Sequence, residues 1–212
     1  MTHLLHLDSS ASGAGSFSRR LGRGLVLGWS RREPGAVLTY RDLDAEPLPF
    51  VSETWVSAAY TPADQHDHTL AFSLSRSDQL IAELEAADVL VIGAPMYNFG
   101  IPASLKAWVD QVVRVGRTFG YDGPNPVGLV HGKRAVVLAT SGGDALRYEA
   151  LGLDFRSSYL RAILGFIGIT DVEVLTLTGT AGPEPETARV AAELDALLDR
   201  LVTPALIGAQ RS

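Results

Sequence analysis

Five short apolar runs are spaced along the chain, and segments with helical periodicity separate them. The runs span residues 4–7, 37–40, 89–93, 135–140 and 172–177. Between them, apolar residues recur every three or four positions, as Leu21, Leu25 and Trp29 do. This pattern predicts five strands and five helices, the helices covering residues 18–32, 69–87, 103–115, 156–166 and 186–201.

Strands that alternate with helices form βαβ units around a parallel sheet. The unbroken apolar run at residues 89–93 is typical of a parallel strand that is buried on both faces. Five strands with five helices favour an α/β flavodoxin-like fold, with strand order 2-1-3-4-5 and helices on both faces. No repeat or linker interrupts the chain, so we expect one domain over residues 1–212. The long irregular stretch at residues 42–68 is an unusual connection, which we expect to be functional.

The first predicted strand leads into a loop of small and hydroxyl-bearing residues, here called the serine loop (residues 9–18), which ends where a helix begins. A helix N-terminus with free N–H groups and clustered hydroxyls binds phosphate. The loop holds no lysine and no Gly-x-x-x-x-Gly-Lys-Ser/Thr motif, so it suits a tightly held monophosphate rather than a triphosphate. A plain capped turn is the alternative interpretation of this loop on its own.

The loop after the third predicted strand, here called the proline loop (residues 94–102), is the most informative segment. In open parallel sheets, ligands bind outside the carboxyl ends of the strands, where such loops lie. Two prolines stiffen the loop around Met96, Tyr97 and Phe99, which suit a flat aromatic ligand. Asn98 adds a side chain that can donate and accept hydrogen bonds.

The fourth predicted strand ends in the glycine loop (residues 140–143), Thr-Ser-Gly-Gly, whose glycines let the backbone approach a ligand. In the order 2-1-3-4-5, the first, third and fourth strands are adjacent, so the three loops line one crevice. The serine loop offers hydrogen-bond donors to a phosphate, and the proline loop offers a flat apolar wall. The glycine loop lets the backbone approach the ligand closely. Together they predict a site for flavin mononucleotide (FMN).

Composition narrows the possible partners. The formal charge of −6 argues against nucleic acid, since phosphate binding needs a basic face. The pairs Arg19-Arg20 and Arg31-Arg32, which flank the first predicted helix, are expected to form a solvated helix face rather than an anion patch. The chain has no cysteine, and His66 and His68 lack a third ligand at a suitable spacing, so we expect no metal site. No membrane span or signal peptide is evident, and we expect a cytoplasmic protein with no membrane partner.

Several segments resemble the FMN-dependent NADH azoreductases, also called FMN-dependent NADH:quinone oxidoreductases. They are, in chain order, Arg41-Asp-Leu, Met96-Tyr-Asn-Phe99 after Ala-Pro, Thr118-Phe-Gly-Tyr121, Gly132-Lys133 and Leu164-Gly-Phe-Ile-Gly-Ile-Thr-Asp-Val-Glu173. The resemblance covers about residues 4 to 202. It implies a homodimer that binds FMN noncovalently near the subunit interface and transfers electrons from NADH or NADPH to small quinones and aromatic azo compounds.

The resemblance also implies roles for individual residues. The FMN contacts would be Ser10, Ser16, Phe17, Ser18, Met96, Tyr97, Asn98, Phe99, Thr140, Ser141, Gly142 and Gly143. Phe119, Tyr121 and Phe166 match positions of the substrate pocket. Tyr121 would donate a hydrogen bond to the acceptor or only pack in the pocket. No side chain is expected to act as a nucleophile, because FMN carries the chemistry.

One ring site and no second nucleotide fingerprint predict a ping-pong cycle, in which the nicotinamide leaves before the acceptor binds. Two alternatives from other classes remain open, a flavodoxin-type electron carrier and a flavin-binding regulatory protein. The modest negative charge and the pocket aromatics favour the enzyme.

Overall fold

The structure is a computed structural model that describes residues 1–182 and 187–202. Its strands are β1 (His3–Asp8), β2 (Val37–Asp42), β3 (Val89–Pro95), β4 (Phe119–Asp122), β5 (Asn125–Gly128), β6 (Arg134–Thr140) and β7 (Asp171–Leu177). Its helices are α1 (Phe17–Arg32), α2 (Glu53–Tyr60), α3 (His68–Ala86), α4 (Ala103–Val112), α5 (Ala145–Ala150), α6 (Phe155–Phe166) and α7 (Thr187–Val202). Glu186, the predicted first residue of the last helix, lies outside the described residues, as do residues 203–212 of the predicted domain.

The main sheet has five parallel strands in the spatial order β2-β1-β3-β6-β7. Strands β4 and β5 pair only with each other, as an antiparallel hairpin. Counted over the main sheet alone, the order is 2-1-3-4-5, so the predicted flavodoxin-like α/β fold is confirmed. β3 is buried along its whole length, which explains its unbroken apolar sequence.

Two apolar cores cover the two faces of the main sheet. Consecutive residues of β3 point to opposite faces, so Val91 and Ile92 belong to different cores. Val91 lies in the core that contains Leu25 of α1 and the apolar face of α7. Ile92 lies in the core that contains Trp108 of α4 and apolar residues of α3 and α6. The sheet is therefore a rigid layer whose carboxyl edge positions the loops of the site.

The stretch at residues 42–68, predicted as irregular, contains helix α2. Ser52 begins this helix, because its hydroxyl accepts a hydrogen bond from the N–H of Trp55 at 3.2 Å. Trp55 and Ala58 then pack against Leu74 of α3 in a small separate cluster. The stretch at residues 42–68 is thus partly helical and packs on α3.

Candidate functional site

A cavity of about 320 Å³ opens at the carboxyl edge of the main sheet, between the loops that follow β1, β3 and β6. Its lining residues are Ser10, Ser12, Gly15, Ser16, Phe17, Pro95, Met96, Tyr97, Thr140, Gly142 and Thr180. These residues follow neighbouring parallel strands, so the cavity lies where open α/β sheets bind ligands. The structure brings the serine, proline and glycine loops together at this one place.

The serine loop gives one end of the cavity its hydroxyl groups. Ser16 begins α1, and its Oγ accepts a hydrogen bond from the N–H of Arg19 at 3.3 Å. The same oxygen lies 3.0 Å from Oγ of Ser18. The first N–H groups of a helix have no acceptor within it, and the helix dipole favours an anion there. This end of the cavity therefore has the chemistry of a phosphate site.

Arg19 holds the serine loop from behind. Its Nε and Nη2 donate to the carbonyl oxygen of Ser10 at 3.2 and 2.8 Å, and Nη2 also donates to Oδ1 of Asp42 at 2.7 Å. The hydrogen bond that Arg19 donates to Asp42 raises the pKa of the Arg19 guanidinium above its ordinary value. The side chain is only 14% exposed, so the expectation of a solvated face is wrong for Arg19. Its neighbour Arg20 stacks on the ring of Phe17, 3.9 Å from the ring centre.

The proline loop reverses direction through a tight turn. Tyr97 and Gly100 exchange backbone hydrogen bonds of 3.1 and 3.0 Å, and the two residues between them have positive φ, 49° at Asn98 and 67° at Phe99. Such a two-residue turn requires the left-handed region at both central positions, which suits Asn and strains Phe by roughly 1–2 kcal/mol. Backbone strain of this kind is found at ligand sites, where the surrounding structure holds it in place.

The glycine loop is supported by the segment that follows β7. The N–H of Ser141 donates to the carbonyl of Leu177 at 2.9 Å, and the N–H of Thr180 donates to the carbonyl of Ser141 at 3.0 Å. Thr180 thereby joins the cavity wall, a role that sequence reasoning missed. The available signal was the small-residue turn that follows the last strand, at the same edge of the sheet as the other loops.

The remaining predicted FMN contacts do not line this cavity: Ser18, Asn98, Phe99, Ser141 and Gly143. The Oγ of Ser141 donates to the carbonyl of Gly143 at 3.1 Å. A Cβ on Gly143 would lie 2.3 Å from the hydroxyl of Tyr148, so a side chain of this chain occupies the space next to that glycine. Phe99 contacts the same tyrosine ring edge-on, at 5.4 Å between centroids.

A second cavity of about 640 Å³ adjoins the first and shares Tyr97 with it. The other residues of its wall are Asn98, Gly100, Ile101, Ala103, Lys106, Phe155 and Tyr159. Burial raises the pKa of Tyr159 above its ordinary value. The surface is mainly apolar and aromatic, which suits a flat substrate or another protein surface.

Phe119, Tyr121 and Phe166, here called the aromatic cluster, line neither of these cavities. Their rings contact one another, at 4.7 Å between Phe119 and Phe166 and 5.9 Å between Phe119 and Tyr121. α6 starts beside the proline loop, where the N–H of Phe155 donates to the carbonyl of Phe99 at 3.0 Å. At 1.5 Å per residue, this helix carries Phe166 about 16 Å from that point. Within one chain, the aromatic cluster is therefore remote from the cavity.

Two further findings concern only residues 1–182 and 187–202. No group of three or more His, Asp or Glu side chains in these ranges could hold a metal ion. No helix there is long and apolar enough to cross a membrane.

Comparison with known proteins identifies the family. A family model described as a flavodoxin-like fold matches residues 2–201. An FMN-dependent NADH:quinone oxidoreductase of Nostoc punctiforme is 40% identical over 202 residues, which cover 95% of this chain and 98% of the relative. The chain belongs to the flavodoxin-like FMN-dependent NADH:quinone oxidoreductases. The resemblance stated from the sequence is confirmed.

A second relative supports membership of this oxidoreductase family, and a solved structure supports the fold. The FMN-dependent NADH:quinone oxidoreductase 1 of a Jannaschia species is 48% identical over 176 residues, which cover 83% of this chain and 87% of the relative. The solved FMN-dependent NADH-azoreductase of Bacillus anthracis, in complex with FMN, superposes with a TM-score of 0.85 at 22% identity and covers 95% of this chain and 100% of its own. At that identity, the likeness to the azoreductase supports the fold.

Proposed function

We propose that this chain is an FMN-dependent oxidoreductase that transfers electrons from NADH, or from NADPH, to quinones and aromatic azo compounds. One observation carries the proposal: a single cavity joins a hydroxyl-rich helix N-terminus to a flat apolar wall at the carboxyl edge of the sheet. Relatives named for this activity align with nearly the whole chain. A cytoplasmic location belongs to the same proposal, because NADH is an intracellular reductant.

The chemistry of the cavity fits FMN. Buried serine hydroxyls and the first N–H groups of α1 would hold a phosphate dianion, while the adjacent Arg19 is turned toward the backbone carbonyl of Ser10. The phosphate would contact Ser10, Ser12, Ser16 and the backbone of Phe17 and Ser18. The ring would contact Met96, Tyr97, Thr140 and Gly142. When bound, FMN supplies the hydride-accepting and electron-donating group that the amino acids of this chain lack.

The protein's own residues bind and orient in this proposal. Tyr97 and Met96 present an apolar surface, and the strained turn at Asn98 and Phe99 fixes their direction. The chain carries no second nucleotide fingerprint beside this site. NADH and the acceptor would therefore use the same place in turn, which is a ping-pong cycle.

We also propose a homodimer in which the aromatic cluster of each copy covers the cavity of the other. The support is geometric, since the cluster lies too far along α6 to reach the cavity of its own chain. Large apolar groups stand exposed around the second cavity, with Phe155 58% and Phe99 39% accessible. An acceptor would then contact residues of both copies, including the hydroxyl of Tyr121 as a hydrogen-bond donor.

The activity is tested with the purified protein under anaerobic conditions. We expect a visible flavin spectrum that NADH alone bleaches rapidly and that a benzoquinone restores. A flavodoxin-type carrier or a regulatory protein would keep its flavin oxidised when NADH is the sole addition. Protein that stays colourless after incubation with FMN would contradict the proposal.

The dimer is tested by light scattering and by the variant Phe166→Ala. We expect twice the 22.6 kDa chain mass, and an altered KM for the quinone with unchanged FMN affinity. A monomer in solution, or a folded Phe166→Ala variant with the acceptor KM of the wild type, would remove the shared pocket from the proposal.

A further inference from the structure

Arg156 is a fully buried cation at the carboxyl ends of two central strands. Its Nη1 donates to the carbonyl oxygen of Thr140 at 2.8 Å and to that of Ala94 at 3.4 Å. The Thr140 carbonyl also accepts the N–H of Met96 at 2.8 Å. One guanidinium thus joins the end of β6 to the end of β3, directly behind two residues that line the smaller cavity.

The second half of this guanidinium faces a buried carboxylate. Nη2 of Arg156 pairs with Oδ2 of Asp154 at 3.0 Å, and the Asp154 side chain is 8% exposed. Asp154 also begins α6, because its Oδ1 accepts the N–H groups of Arg156 and Ser157. The two charges therefore neutralise each other at the place where α6 meets the ends of β3 and β6.

Burying this guanidinium carries a large desolvation free energy for an element that would be purely structural. Burial lowers the pKa of Arg156 below its ordinary value, and the Nε atom has no partner among the described residues. Replacing a buried ion pair with apolar residues of similar volume is often neutral or stabilising. What a guanidinium provides here and an apolar side chain would not is the hydrogen bonding to the carbonyls of Thr140 and Ala94 behind the cavity.

We propose that Arg156 is a positioning residue for the ring end of the cavity, which fixes the backbone of Thr140 and Met96 and keeps the charge of Asp154 compensated behind that backbone. The inference rests on the proposed FMN site. Without Arg156, the glycine and proline loops would lose their common donor, and an unpaired carboxylate would be left buried behind the backbone of Thr140. Both changes act on bound FMN before any substrate is added.

Three variants test the inference through FMN affinity and the midpoint potential of the bound flavin. Arg156→Met removes the donor and leaves Asp154 unpaired, so we expect the FMN Kd to rise at least tenfold and the potential to become more negative. Arg156→Met with Asp154→Asn removes both charges but keeps the helix cap, since Asn caps as well as Asp. In that double variant the potential should return toward the wild-type value while the Kd stays raised.

Arg114→Met is the matched control, because Arg114 is also buried, at 6% exposure, and lines neither cavity. Its Nη1 donates a hydrogen bond of 2.9 Å to Oγ of Ser77. We expect this variant to lose stability in urea without a change in FMN Kd or potential. Wild-type protein that binds no FMN would overturn both the proposed function and the inference. If the wild type binds FMN, and both Arg156→Met and the double variant keep the wild-type Kd and potential, the inference alone is overturned. The double variant decides the question if the single one does not fold.

Discussion

The hydroxyl of Tyr97 accepts a hydrogen bond from the backbone N–H of Ala11 at 3.1 Å. Because Tyr97 follows β3 and Ala11 follows β1, this contact ties the proline loop to the serine loop across the cavity. A hydrogen bond of this kind contributes about 0.5–1.5 kcal/mol, so Tyr97→Phe should weaken FMN binding about two- to tenfold. Fluorescence titration of the apoprotein with FMN measures the change.

Tyr60→Phe is the control for that measurement. Tyr60 is 70% exposed and makes no hydrogen bond through its hydroxyl within the described part of the chain. Its FMN affinity should equal that of the wild type. If Tyr97→Phe also bound FMN normally, the link between the two loops would have no part in shaping the site.

The serine loop offers a second test. Ser16→Ala with Ser18→Ala should lower FMN affinity at least tenfold, because it removes the Ser16 hydroxyl, whose hydrogen bond to a charged group would contribute roughly 1.5–3 kcal/mol, and the Ser18 hydroxyl that lies 3.0 Å from it. The double variant also loses the N-cap of α1, which removes about 1 kcal/mol of stability. Ser52→Ala removes the cap of α2 in the same way but lies away from the cavity. A similar loss of FMN affinity in Ser52→Ala would mean that destabilisation, not lost phosphate contacts, causes the effect.

The ion pair behind the serine loop makes stability depend on pH. The hydrogen bond from Arg19 holds the pKa of Asp42 below its ordinary value. A depressed folded pKa stabilises the protein above the unfolded pKa, near 4, and this stabilisation is lost as the pH falls through the folded value. Asp42→Asn should therefore lower the free energy of unfolding at pH 7, and its difference from wild type should shrink below about pH 4.

Urea unfolding at a series of pH values checks this prediction. Asp64→Asn serves as the matched change, since Asp64 is exposed and forms no ion pair with any residue that the structure describes. It should follow the wild-type curve throughout. A difference for Asp42→Asn that persisted unchanged into acid would show that the carboxylate charge is not the stabilising element.

The hairpin of β4 and β5 lies tightly against the end of α6. A Cβ on Gly128 would lie 2.2 Å from the backbone N of Gly168 and 2.4 Å from the carbonyl carbon of Ile167. Backbone cannot move aside as a side chain can, so Gly128→Ala should destabilise the protein by about 3 kcal/mol. Gly120→Ala, on the facing strand, meets only Leu129 at 3.7 Å and should be tolerated. Equal urea midpoints for the two variants would contradict this packing.

Steady-state kinetics test whether donor and acceptor bind in turn. Initial rates against NADH at several fixed quinone concentrations should give parallel double-reciprocal lines, the mark of a ping-pong cycle. The reason is that, in the proposed cycle, one cavity with Tyr97 on its wall would serve both reactants. Intersecting lines would instead require a separate nicotinamide site.

Sequence patterns predicted the five main-sheet strands and the convergence of their loops, because each strand is an apolar run and parallel strands end at one edge. They did not predict the hairpin, because its two strands have only four residues each and contain Gly120 and Pro126, which interrupt the alternation of apolar and polar residues. The hairpin is held instead by a distant contact, the N–H of Val130 donating to the carbonyl of Ile167 at 2.8 Å. Such a contact leaves no local pattern.

The two arginines of the site show why its supporting residues escaped prediction. In the sequence, Arg19 and Arg156 resemble the solvated charges of helix surfaces. Their burial depends on partners far along the chain, Asp42 for one and the carbonyl of Ala94 for the other. Only the folded sheet brings those partners together, so residues that line the cavity were easier to predict than the residues that hold them in place.

At Phe99, the left-handed backbone conformation lowers stability, while the aromatic side chain lies beside the cavity. Phe99→Gly would relieve a backbone strain of roughly 1–2 kcal/mol, and an engineer seeking a heat-resistant protein would choose it early. The same change would remove the ring that contacts Tyr148 and stands partly exposed beside the cavity. Thermal stability and the aromatic ring beside the cavity thus depend on the same side chain, and selection for melting temperature alone would favour a more stable protein that lacks this ring.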